Sequence, residues 1–330
     1  MWLVYLPGTA VRAFRIATVP TPHGAPALTG LPEVADDDRL AVLLADPWTS
    51  PLDDVVAAFS RVDGPLPVVG GLVSGGQRAG ETRLLLDSSV LDNGAVGVIL
   101  GAGAPVRAVV SQGCRPIGSA MTVTAAQGNA IISLAGEPAI EKVREVLAEL
   151  DAEEQALAVR GLHVGIANGR NAGSPDFVVR GILAVDPGSG AIAVGDEVDV
   201  GTVVQLHLRD ADSADADLRT TVESAQRPGI AGAYVFTCNG RGGAMFTSSD
   251  HDAALIREGL GVQAIAGFFA AGEIGPVGGA NHLHGFTAVV LVVDDEADPG
   301  AVEIDRRATR GEASDAGIDL DAELRELLGR

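Results

Sequence analysis

Two short blocks gather most of the side chains in this chain that could take part in chemistry: Thr237-Cys-Asn-Gly-Arg-Gly242 and Gly267-Phe-Phe-Ala-Ala-Gly-Glu-Ile-Gly-Pro276. Each follows an apolar run and sets glycines around a few reactive or charged groups. Cys238 could serve as a nucleophile if a neighbouring arginine or base lowered its pKa, and a thiol at the end of an apolar run is also a common buried structural cysteine. Arg241 has only glycines beside it, and its planar fork suits a carboxylate or a phosphate. Glu273 could accept from a ligand amine, pair with Arg241 across the two blocks, or cap backbone N–H groups in a turn. If Arg241 and Glu273 face one cleft, that cleft holds one charge of each sign, which is what a zwitterion such as an amino acid requires.

A third block, Gln112-Gly-Cys-Arg-Pro-Ile-Gly118, repeats the theme with Cys114 and Arg115 and reads as another glycine loop after a strand. His282 and His284 are two residues apart, so in a strand they share a face, as a two-histidine metal pair would. No third ligand has suitable spacing, and one ring packing while the other hydrogen-bonds is the simpler expectation. Asp250-His251-Asp252 reads as a helix start, its acids favoured by the dipole. The sequence contains no triad signature, P-loop or dinucleotide-binding fingerprint, since Gly101-Ala-Gly103 lacks the rest of that motif.

The elements that must hold these blocks alternate in type. A strand at 40–45, a helix over 51–60 and a strand at 66–73 precede strands at 82–86, 95–100, 106–112, 120–124 and 130–134, the last two forming a hairpin. Glu137-Pro138 opens an amphipathic helix to about Leu157, with Ile140, Val143, Val146, Leu147 and Leu150 as its apolar face. A hairpin turns at Asp186–Gly190, a strand follows at 203–208 and an acidic helix at 210–225. Ala233–Cys238 and Ile265–Ala270 read as strands of a sheet interior, and Gly285–Val293 as a late buried strand. Residues 294–315 read as a linker and 318–328 as a short terminal helix.

One constant shift along the chain brings Asp53 onto Asp250, Gly64 onto Gly261, Gly70 onto Gly267 and Gly75 onto Gly272. The order of elements around both sets is the same, which points to an internal duplication. The expected fold is α/β (α+β): two related mixed-sheet domains flanked by helices. The expected boundaries are 1–158, 159–297 and an acidic tail at 298–330.

With 330 residues, 47% of them hydrophobic, the chain can build two ordinary cores. A net charge of −21 argues against nucleic acid, whose phosphates would be repelled. Two cysteines are too few for a disulfide scaffold and favour a reducing compartment. The first residues lack the basic start and apolar core of a leader, and no apolar run approaches the roughly 18 residues that span a bilayer. A cytoplasmic protein is expected.

Together with Asp250-His-Asp252 and His284-Gly-Phe-Thr287, the three glycine blocks resemble the FIST family, over about residues 36–295. The resemblance implies tandem FIST N and FIST C domains and a sensory, small-ligand-binding module of signal transduction. Amino acids are among the ligands it implies, and some relatives are linked to haem and gas sensing. Carried onto this sequence, the blocks point at Cys114, Arg115, Cys238, Asn239, Arg241, Gly272, Glu273 and His284. The N-terminal match is the weaker of the two, and the stretch before Ala41 is short for the family, as if trimmed. No kinase, cyclase or receptor segment is recognised, so sensing implies a separate signalling partner.

The reading that unites these observations is a cytoplasmic sensor with its pocket between glycine loops of both halves. No metal, nucleic acid or membrane is expected, and haem is the one cofactor left open. One alternative is an enzyme with Cys238 as nucleophile, Arg241 for substrate and Glu273 or His284 as acid/base. Another is a scaffold that holds a partner through its acidic surface or tail.

Overall fold

The computed structural model describes residues 2–19, 27–60, 66–168 and 176–295. The first strands are β1 (Val11–Val19), β2 (Ala27–Thr29) and β3 (Leu40–Ala45), followed by helix α1 (Leu52–Ser60) and β4 (Val68–Leu72). A small hairpin of β5 (Leu84–Leu86) and β6 (Ser89–Leu91) leads to β7 (Ala95–Leu100) and β8 (Val106–Ser111). Then come β9 (Cys114–Gln127), β10 (Ala130–Leu134), β11 (Glu137–Pro138), α2 (Ala139–Ala148) and α3 (Ala152–Gly161). Strands β12 (Leu162–Asn168), β13 (Asp176–Asp186), β14 (Ala191–Val194) and β15 (Val203–Arg209) precede α4 (Ala211–Ala225). The last elements are β16 (Ile230–Cys238), α5 (His251–Leu260), β17 (Ile265–Ala270), β18 (Glu273–Val277), β19 (Ala280–His284) and β20 (Ala288–Asp294). This is the mixed α+β architecture expected from the sequence. The contacts divide the described residues into two compact units, one formed by residues 2–110 with 218–295, the other by residues 111–217.

The first unit contains the two candidate blocks and two mixed sheets. One sheet has the order β19-β18-β4-β3-β7-β1-β2, the other β17-β16-β20-β8. Strands β3 and β4 are parallel and joined through α1, and β16 and β17 are parallel and joined through α5. Such crossovers bury the strands on both faces, which is why β4 and β20, up to its closing Asp294, are apolar runs with every residue buried. The helices close separate cores: Val55, Val56 and Phe59 of α1 pack with Leu43 and Val68, while Leu255 and Ile256 of α5 join Leu218, Val222 and Val235.

The duplication is visible as a repeated strand plan. In the first copy β4-β3-β7-β1 lie side by side, and in the second β17-β16-β20-β8 do. The backbone bonds recur at matching points. Ala41 N–H donates to Pro67 O at 2.8 Å and Ala233 N–H to Ala264 O at 2.9 Å. Asp46 N–H donates to Gly94 O at 2.9 Å and Cys238 N–H to Thr287 O at 3.0 Å. Gly101 N–H donates to Ala10 O and Asp294 N–H to Pro105 O, both at 2.8 Å. The matched glycines 70 and 267 share an environment as well: a Cβ would stand 1.9 Å from Leu43 O in one copy and 2.0 Å from Val235 O in the other. Only glycine fits either place.

Other matched positions diverge. Asp53 lies inside the first turn of α1, whereas Asp250 precedes α5 and makes no capping bond. Gly75 turns at φ 93°, while Gly272 is buried against Leu72 and Leu283. Gly64 lies outside the described residues.

The second unit is an antiparallel sheet ordered β11-β10-β14-β13-β12-β15-β9, and β9 also pairs with β10. That last pairing closes six strands into a barrel without free edges. Its interior is apolar, with Val123, Ile131, Val164, Ile192, Val204 and Leu206 all buried. Ile140, Val143 and Leu147 of α2 join that core, as their spacing predicts.

Four expectations are corrected. The helix expected from 137 to 157 is two helices, because Asp151 accepts from Glu153 N–H and Glu154 N–H and restarts the chain with a capping box. Most of the third glycine block is not a loop: Cys114–Gly118 begins β9, after a turn at Gly113 with φ 72°. The Glu273 block is likewise two strands, β17 and β18, joined by Ala271 and Gly272. Finally, β17 is an edge strand rather than an interior one. The expected linker and terminal helix lie almost wholly outside the described residues. No helix among the described residues is long and apolar enough to cross a membrane.

Candidate functional site

The site lies at the carboxyl ends of the parallel pair β16 and β17, a favoured place for ligands in crossover sheets. Cys238 is the last residue of β16, and Asn239–Arg241 form a single 3-10 turn directly after it. Glu273 begins β18, where it stands opposite His284 of β19. Sequence-distant blocks are thus brought to one place by the crossover through α5.

Arg241 is not a free fork awaiting an anion. It is 1% exposed. Its Nε donates to Asp252 Oδ2 at 2.7 Å, its Nη2 to Asp252 Oδ1 at 3.1 Å and its Nη1 to Phe286 O at 3.2 Å. The expected partner across the two blocks, Glu273, is therefore replaced by Asp252. The reason is local: α5 starts ten residues downstream, at His251, and turns its second residue, Asp252, back toward the guanidinium. Asp252 also accepts from Thr237 Oγ1 at 2.5 Å and lies 3.0 Å from His251 Nδ1. Burial opposes its ionisation, but the Arg241 charge and these hydrogen bonds outweigh burial and hold its carboxyl below the usual range. His251 stacks on Phe246, with ring centres 3.6 Å apart, and Arg241 lies over the same ring at 5.5 Å.

Glu273 is the unusual group. It is 0% exposed, its Oε2 accepts from Thr287 N–H at 3.1 Å, and its Oε1 has no hydrogen-bond partner. Burial pushes its pKa well above the ordinary value, against smaller lowering effects of Thr287 N–H, Cys238 and Arg241. Burial thus favours the neutral carboxyl over the carboxylate. Cys238 lies beside it and accepts a bond from Gly240 N–H at 3.4 Å. Burial and the neighbouring Glu273 push the thiol up to about 12. An orphan polar atom this deep is costly, and such groups cluster at functional sites.

The remaining candidates fall as follows. Asn239 is exposed at the rim, and Gly272 is buried in the turn into β18. His284 is buried, with Nε2 turned to Gly275 O at 3.0 Å. His282 and His284 do share a face, their rings 5.9 Å apart, but no group of three metal ligands occurs among the described residues. His284 also fits a haem axial role poorly, because Gly275 O takes its Nε2. Cys114 and Arg115 belong to the barrel unit; Cys114 is buried, and Arg115 pairs with Glu154 at 2.9 Å.

Sequence reasoning missed Asp252 as the arginine's partner and Phe286 as part of the frame. A buried arginine needs a carboxylate, and the nearest acids in sequence are Asp250 and Asp252, so that signal was present. Phe286 has φ 53°, a strained value for an aromatic residue, and its ring closes on Gly240, where a Cβ would meet it at 2.1 Å. Nothing in the sequence announces that conformation.

Residues 7–137 match the model of the FIST N domain, and residues 139–276 match the FIST C domain. The chain belongs to the FIST family. FIST domains are associated with sensory roles in signal transduction. The chain is 47% identical over 305 residues to the uncharacterized protein Mb0898c of Mycobacterium bovis, covering 89% of this chain and 77% of that one. It is 46% identical over 301 residues to the uncharacterized protein MT0656 of Mycobacterium tuberculosis, covering 89% and 78%. The FIST C match spans both Cys238 and Glu273.

Proposed function

We propose that this FIST protein is a cytoplasmic sensor that binds a small ligand at the ends of β16 and β18 and signals through a separate protein. The observation that carries the reading is Glu273, wholly buried with one carboxyl oxygen unpartnered. In this reading Glu273 and Cys238 meet the ligand, with Asn239, Gly272 and His284 around them. Arg241 acts through Asp252, fixing the turn that carries Asn239. Cys114 and Arg115 enter on the family resemblance alone, as does the tandem division near residue 158. An amino acid or similar zwitterion is the proposed ligand class, its ammonium meeting the unpartnered oxygen of Glu273 and drawing that carboxyl toward its ionised form. The acid-rich composition supports a partner other than nucleic acid or an anionic membrane.

Thermal shift with the twenty amino acids and a set of small carboxylic acids tests this reading. At least one probe should raise Tm of the wild type and leave Glu273→Gln unmoved. If no probe stabilises the wild type, the reading is wrong. The enzyme alternative gains nothing from the site, because a thiol pushed up to about 12 is a poor nucleophile at neutral pH. An absorbance spectrum of the purified protein, checked for a Soret band, tests the haem branch.

A further inference from the structure

The two copies of the strand plan differ in one respect that bears on assembly. In the first copy, Ala41 N–H donates to Pro67 O, so alternation turns the backbone groups of Val68, Gly70 and Leu72 away from β3. All three are covered. Asn281 Oδ1 accepts from Val68 N–H at 2.8 Å, and Gly70 pairs with Ile274 of β18. Leu72 N–H donates to Gly272 O at 2.8 Å, and Leu72 O accepts from Ala271 N–H at 3.0 Å. The hairpin β18–β19 thus seals the outer edge of β4.

The matching edge in the second copy is β17. Ala233 N–H donates to Ala264 O, so the groups of Ile265, Gly267 and Phe269 point outward. Among the described residues Ile265 N–H turns back to Gln263 O at 3.1 Å and the Ser74 hydroxyl meets Phe269 O at 2.5 Å, and no strand meets the groups between them. No strand lies beside this edge in the described residues, and Phe269 is 49% exposed. The strand Ile265-Ala-Gly-Phe-Phe-Ala270 has no charge and no proline, the devices that usually protect an edge.

The element that corresponds to β18–β19 is the hairpin β5–β6, which follows β4 as β18–β19 follows β17. It forms a two-stranded sheet of its own. Leu85 and Val90 face each other across it, 71% and 64% exposed. Two strands alone are marginal in water, and an exposed apolar cross-strand pair marks a face made for contact. The hairpin is also anchored: the Thr82 hydroxyl bonds to Asp46, and Leu84 is 2% exposed. Its place in the first copy is therefore fixed, and its outer face is left for another chain.

We infer that the outer edge of β17 is a docking edge for the β5–β6 hairpin of a second copy of this chain, the two copies exchanging hairpins about a two-fold axis. The occupant is argued from the molecule itself. β4 shows how such an edge is sealed, by an antiparallel hairpin whose first strand pairs at Gly70. The same chain carries an unsealed edge and an unpartnered hairpin at matching points. Neither surface has a charged residue in its strands, so two chains of net charge −21 meet there through uncharged segments.

Sedimentation equilibrium over a range of micromolar concentrations tests the inference, with circular dichroism to confirm folding. Wild type should be a dimer. Leu85→Asp and Phe269→Asp should each weaken dimerisation by about tenfold or more at unchanged fold. Mixing these two variants should restore a heterodimer, because one intact hairpin and one intact edge remain in complementary chains. A monomeric wild type overturns the inference, and so does a dimer insensitive to both substitutions. A dimer that responds to Phe269→Asp alone overturns the hairpin as occupant and points to edge-to-edge pairing. Addition of amino acids is not needed for any arm, so the result is independent of the ligand proposal.

Discussion

Glu273, Cys238 and Asp252 each respond to pH in a direction set by its surroundings. The folded pKa of Glu273 is raised, so its contribution to stability is complete below the ordinary glutamate range and is lost as pH climbs through the raised value. Asp252 is the opposite case: lowered when folded, it stabilises above its ordinary value and loses that contribution as pH falls through the folded value. Glu273→Gln should therefore flatten the decline in Tm on the alkaline side of the glutamate range while leaving unchanged the acid limb, to which Asp252 contributes together with Asp38, Glu81 and Asp186. A decline equally steep in both proteins would show that the carboxyl is ionised in the fold. Cys238 should react with iodoacetamide at pH 7 about a thousandfold more slowly than a free thiol, since the thiolate fraction falls tenfold per pKa unit. Rapid labelling, read by mass spectrometry of the peptide, would revive the enzyme alternative. Removing one member of the buried pair, by Asp252→Ala, should cost about 3–5 kcal/mol in denaturant unfolding, because it strands the Arg241 charge.

Among the elements, the repeated strand plan makes a paired prediction. Gly70→Ala and Gly267→Ala drive a methyl group into a main-chain oxygen at nearly the same distance in each copy. Both should lose more than about 3 kcal/mol, or fail to accumulate, well beyond the roughly 1 kcal/mol that a Gly-to-Ala exchange involves where space allows. A tolerated Gly267→Ala would mean that the two copies pack differently at this point. The elements were largely legible in the sequence because their signals are local: apolar runs for β3, β16 and β20, and the turn at Asp186–Gly190 for the hairpin β13–β14. What escaped was non-local. The break at Asp151 has a capping signal that the apolar spacing of the supposed long helix hid. The edge position of β17 depends on where β18 goes, and a two-residue connection gives no hint that the chain leaves one sheet for another.

At the scale of the whole molecule, the site was only partly readable. Clustering of Cys238, Arg241 and Glu273 followed from the glycine blocks, but which carboxylate takes the arginine depends on the path of α5. A sensor that dimerises through hairpin exchange would show a concentration-dependent Tm, whereas a monomeric one would not. Calorimetry over a fiftyfold range of protein concentration distinguishes the two, and Leu85→Asp should remove the dependence.

The barrel leaves the surrounding strands and rejoins them at neighbouring residues. Ser111 Oγ donates to Asp217 Oδ2 at 2.7 Å, and Gly113 N–H reaches the same oxygen at 3.2 Å. In the first copy of the strand plan the corresponding passage, from β1 to β3, contains the short strand β2 among its described residues. A closed module whose entry and exit are tied together can be gained, lost or swapped in the history of a gene without retracing the path of the host. A chain that leaves and returns at one point can carry changes inside the barrel without rerouting the strands on either side of it.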